Sequence, residues 1–83
     1  MTVESGVTLA RAMVAIQVDT GLWARPVAWR GRGEALAFHP GHRGPVVVPS
    51  DRGGDRWWPS FDDLTGAWDV VTPDTIRRSA RTR

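Results

Sequence analysis

The sequence predicts an α+β domain, a small twisted antiparallel sheet with one N-terminal amphipathic helix packed on it. Three observations predict it. A helical apolar period is confined to the start of the chain, and short alternating or valine-rich segments broken by Gly and Pro fill the rest. The length of 83 residues has room for one compact domain.

The helix comes first. Leu9, Ala12, Met13 and Ile16 fall at i, i+3, i+4 and i+7, with Arg11, Gln17 and Asp19 off that face. Thr8 is placed to cap the N-terminus and Gly21 to stop the chain, so the helix is expected over Thr8 to Val18. Leu22 to Trp29 then alternates, which puts Trp23, Arg25, Val27 and Trp29 on one side of a strand. Pro26 lacks a ladder donor, so this strand is an edge or is interrupted there. Gly31 and Gly33 mark a turn, and Glu34 to His39 returns with Leu36 and Phe38 inward.

After a loop at Pro40 to Gly44, Val46 to Val48 is a short buried strand between two prolines. Ser50 to Asp55 reads as a hairpin connection from which Arg56 to Trp58 returns. Ser60 and Asp63 have the spacing of a capping box, giving a helical turn over Ser60 to Thr65. Ala67 to Val71 is the last strand, ended by Pro73. The domain is expected to span residues 1–76, and the polar residues 77–83 to form a flexible basic tail.

Charge and composition narrow the function classes. Four of the eleven arginines lie in 77–83, so the remaining body holds seven against nine Asp and Glu, a balance of −2. The basic character belongs to the tail, and nucleic acid is not the expected partner of the body. The chain has no cysteine, which removes disulfides and thiolate metal sites. No apolar run approaches a membrane span, and Met1 to Gly6 lacks the basic start of a secretory signal, so a cytoplasmic, membrane-free protein is expected. Lys, Asn and Tyr are absent and isoleucine occurs twice, a pattern that a GC-rich genome explains; the five tryptophans do not follow from that bias. So small a core gains from association, so a homo-oligomer is expected.

Two groups of residues have binding chemistry. The first is Trp23, Arg25 and Trp29 with Arg30 following; the second is Arg56, Trp57, Trp58, Pro59 and Ser60. Indoles stack on bases and guanidinium forks pair with phosphate oxygens. The same tryptophans also suit a core or a subunit interface with arginine stems laid across them. Adjacent Trp57 and Trp58 point to opposite faces if their segment is a strand, so one is core and the other is available to a surface. Gly31-Arg32-Gly33 could form a phosphate-cradling nest, but a plain hairpin turn is the favoured reading, and it is not a nucleotide-binding fingerprint because no helix follows it. His39 and His42 lack companion ligands, so no metal site is expected. Asp62 and Asp63 are explained by helix-start electrostatics. No catalytic constellation is present, and neither an enzyme nor a cofactor is expected.

The order of motifs resembles the second Thoeris anti-defence family of small phage proteins. The resemblance is carried by Ala24-Arg25, Trp29, Gly31-Arg32-Gly33, Trp58-Pro59-Ser60, Asp63-Leu64 and Trp68-Asp69-Val70-Val71, and it spans Val7 to Val71. Arg32 stands where that pattern has Lys, and Ala67 where it has an acidic residue. The resemblance implies a homo-oligomeric sponge, tetrameric in that family. Such a sponge sequesters a nucleotide-derived immune signal, a cyclic ADP-ribose variant or a cyclic dinucleotide, without cleaving it. The expected ligand-binding residues are Trp23, Arg25, Trp29, Arg30, Arg56, Trp57, Trp58, Ser60 and Asp63. Two other readings stand beside it: a nucleic-acid accessory protein using the Arg77–Arg83 tail, and a phage module that binds another protein.

Overall fold

Trp68, Asp69, Val70 and Val71 are all buried, as a strand must be when both faces of a sheet are covered. In the computed structural model, which describes residues 2–38, 43–49 and 59–81, this last strand lies inside the sheet rather than at its edge. The strands are β1 (Thr2–Val7), β2 (Trp23–Pro26), β3 (Glu34–Phe38), β4 (Pro45–Pro49) and β5 (Trp68–Val71). They are antiparallel throughout, in the order β1-β5-β2-β3-β4. The helices are α1 (Leu9–Val18), α2 (Phe61–Thr65) and α3 (Pro73–Arg81). The fold is α+β, as the sequence predicts.

Helix α1 begins where Thr8 Oγ1 accepts from the Arg11 amide at 3.2 Å. Its Ala12 and Ile16, one turn apart, are fully buried and pack with Ala24, Leu36, Trp68 and Val70. Because neighbouring residues of a strand point to opposite faces, Trp23, Ala35 and Val71 belong to the other side, where Ile76 of α3 covers them. The sheet is therefore a middle layer, with α1 on one face and α3 on the other.

Four features depart from the sequence expectation. Strand β1 precedes α1 and pairs with β5, with irregular register around Ser5 and Gly6. Gly6 sits at φ +68°, a left-handed bulge conformation that breaks the alternation by which a strand is recognised. Second, the strand expected over Leu22–Trp29 stops at Pro26. The proline has no N–H to continue the ladder, and Val27–Trp29 forms a 3-10 turn closed by the Arg30 amide on the Val27 carbonyl at 3.2 Å. Third, β4 ends the sheet order among the described residues, and Val46 and Val47 are half-buried rather than buried. Fourth, residues 77–81 continue α3 rather than starting a frayed tail. Pro73 both ends β5 and opens the helix, the first-turn position where its missing N–H costs nothing.

The β3–β4 hairpin has one continuous register from Glu34↔Pro49 to Phe38↔Pro45. Leu36 is buried and Phe38 packs beside it on the α1 side, as expected. Gly31 and Gly33 take φ +81° and +75°, so the turn before β3 requires glycine at both positions. No helix among the described residues is long and apolar enough to cross a membrane.

Candidate functional site, an arginine pair on a buried carboxylate

The bulge at Ser5–Gly6, the end of β2 and the 3-10 turn all meet at Asp69. Its side chain is 1% exposed, and both of its oxygens accept hydrogen bonds. Arg30 Nε donates to Oδ2 at 2.7 Å and Arg30 Nη2 to Oδ1 at 2.9 Å, a bidentate fork. Ser5 Oγ and the Gly6 amide donate to Oδ1 at 3.2 and 3.3 Å. Arg25, the direct cross-strand neighbour of Asp69, adds a long contact from Nε to Oδ2 at 3.5 Å.

The Arg30 hydrogen bonds do most to lower the pKa of Asp69, against the opposing effect of burial. Together with the Gly6 amide and Ser5 they bring it down to about 2. The same contacts raise the pKa of Arg30. Two cations and one anion leave this cluster with one positive charge in excess.

A second constellation, built on α2, holds the two described tryptophans that lie deepest. Ser60 and Asp63 form the expected capping box: Ser60 Oγ accepts from the Asp63 amide at 3.2 Å and Asp63 Oδ2 from the Ser60 amide at 3.0 Å. Asp63 Oδ2 also accepts from Trp29 Nε1 at 3.1 Å, and the Asp63 carbonyl from Trp68 Nε1 at 2.9 Å. The Ser60 amide is the main reason the Asp63 carboxyl is held below its usual range.

The predicted site residues therefore separate. Trp23, Arg25 and Arg30 come to one face of the sheet, with the Arg77 guanidinium 5.8 Å from the centre of the Trp23 ring. Trp29 does not join them. The turn after Pro26 rotates it into the core, where it is 1% exposed and cannot offer a ring face to a ligand; the Arg32 guanidinium lies 5.8 Å from its centre. Ser60 and Asp63 shape α2 and anchor Trp29, a job of positioning. Arg56, Trp57 and Trp58 lie outside the described residues, as do His39 and His42.

Sequence reading missed Asp69, Ser5 and Gly6. The available signal was Asp69 itself, a carboxylate placed mid-strand among Trp68, Val70 and Val71, because a charge in a buried strand demands partners. Ser5 and Gly6 carry no comparable signal. Comparison with protein-family models, with curated proteins and with solved structures finds no match.

Proposed function

We propose that the chain binds a cyclic nucleotide-derived signal and sequesters it uncleaved, acting as an assembly of identical copies. The observation that carries this reading is the gathering of Trp23, Arg25 and Arg30 on one face of the sheet, around a cluster with excess positive charge. Guanidinium groups supply phosphate contacts and a partly exposed indole supplies a stacking surface. A domain this small encloses little of a nucleotide by itself, so a complete pocket needs contributions from a neighbouring copy. The apolar surface of Phe61, 77% exposed on α2, suits such an association.

The nucleic-acid reading gains less. Of the tail arginines, the Arg77 guanidinium lies 5.8 Å from the centre of the Trp23 ring, and Arg78 makes an exposed pair with Asp74 at 2.9 Å.

Native mass spectrometry with a panel of cyclic ADP-ribose variants and cyclic dinucleotides tests the proposal. The expected result is an oligomer that retains intact ligand in fixed stoichiometry. A monomer that leaves every panel member free in solution overturns it.

A further inference from the structure

Arg25 carries a charge that the fold leaves largely unanswered. Its side chain is 9% exposed, yet its one polar contact among the described residues is the 3.5 Å approach of Nε to Asp69 Oδ2. Asp69 is meanwhile held by Arg30 through both oxygens. The terminal nitrogens of Arg25 therefore lack a partner among those residues and keep contact with solvent, since neither is a buried unpartnered atom. A guanidinium end left open in this way can receive an anion through charge-assisted hydrogen bonds. Arg30 shares Oδ2 with Arg25 and is 51% exposed, so the pair opens to solvent on the Arg30 side.

We propose that Arg25 and Arg30 together seat one singly charged phosphate, that of a phosphodiester or a pyrophosphate diester, in preference to a dianionic phosphomonoester. This deepens the sequestration reading and rests on it for the molecule that carries the phosphate. Attraction to the excess charge grows in proportion to the charge of the anion, whereas the cost of removing that anion from water grows with its square. A site with one net positive charge, walled on one side by the nearly buried Arg25 and Asp69, offers a dianion about twice the attraction of a monoanion. The desolvation cost is about four times as large, and this sets the expected preference.

Asp69 acts here as a positioning residue. It sets the net charge of the cluster and fixes the Arg30 fork, while Ser5 and the Gly6 amide hold its Oδ1 in place. Its depressed pKa keeps it ionised at pH 8, where the probes below are compared.

Titration of the full chain, followed by NMR at the arginine Nε–H resonances, tests the proposal. The probes are dimethyl phosphate, a monoanion, and methyl phosphate at pH 8, where it is a dianion because its second pKa is about 6. Ionic strength is held equal. The wild-type chain is expected to bind dimethyl phosphate more tightly, with shifts at Arg25 and Arg30. Arg25→Gln is expected to weaken that binding on the order of tenfold, the loss of one charge-assisted contact. Asp69→Asn is expected to reverse the preference. Should that variant fail to fold, Arg30→Gln, at a half-exposed position, is expected to weaken dimethyl phosphate binding as well.

Tighter binding of methyl phosphate by the wild-type chain overturns the inference. So does the absence of any response at Arg25, or unchanged affinity in Arg25→Gln. If dimethyl phosphate binds as expected while cyclic nucleotides do not, the phosphate seat stands and sequestration falls. If cyclic nucleotides bind equally well to Arg25→Gln, the seat falls and sequestration stands.

Discussion

Asp69 is a carboxylate in a strand otherwise made of Trp and Val, and it survives there because five donors from four residues converge on it. Removing its charge strands Arg25, so Asp69→Asn is expected to lower unfolding free energy by about 3 kcal/mol, read from urea denaturation. The pH dependence has a definite sign. With a folded-state pKa of about 2 against roughly 3.9 in the unfolded chain, Asp69 contributes its full stabilisation above about pH 4. That contribution, roughly 2 to 3 kcal/mol, disappears as pH falls toward 2. Asp63 shifts in the same direction through its Ser60 amide bond. An acid-unfolding series should show the Asp69 loss in the wild-type chain and not in Asp69→Asn. Trp29→Phe keeps an aromatic ring but leaves Asp63 Oδ2 without the indole donor. A cost of about 1 kcal/mol is expected, with cyclic nucleotide binding retained, because this ring is buried in the core.

Among the elements, α3 and β1 complete two surfaces that the rest of the chain leaves open. Ile76 of α3 is fully buried and clusters with Ala35, Val71 and Trp23, and its truncation empties that contact. Ile76→Ala is expected to cost about 3 kcal/mol in thermal or chemical denaturation. If the cost falls below about 0.5 kcal/mol, the level of a surface substitution, α3 is not docked as described. Strand β1 depends on Gly6 at φ +68°, where a β-methyl group would meet no atom within 4 Å. The expected penalty for Gly6→Ala is therefore conformational, about 1 kcal/mol, and not a clash. Because the Gly6 amide donates to Asp69, the same variant should also perturb the arginine Nε–H signals of the cluster.

For the whole molecule, the sheet sandwiched between α1 and α3 leaves its polar cluster where β1, β2 and β5 run side by side. Binding a nucleotide there calls for walls from another copy, so assembly and ligand retention are expected to be lost together. Phe61→Ser, at the exposed start of α2, should lower the mass observed by native mass spectrometry without unfolding the domain. A variant with unchanged mass places the contact between copies elsewhere.

Local patterns in the chain were enough to specify α1, β3, β4, the α2 capping box and the last strand. Each rests on short-range physics: a 3.6-residue apolar period, a valine run between prolines, and a Ser-x-x-Asp spacing. They also singled out Arg25 and Arg30, as contacts for a ligand phosphate and not for Asp69, which the folded chain brings to them. Everything else awaited the folded chain. The insertion of β5 between β1 and β2, the Asp69 hub and the burial of Trp29 all join residues dozens of positions apart. Pairing across such separations depends on how the chain returns on itself, which no local pattern encodes. Even the turn at Pro26 follows this rule. Its missing N–H was legible, but the burial of Trp29 and its bond to Asp63, more than thirty residues away, were not.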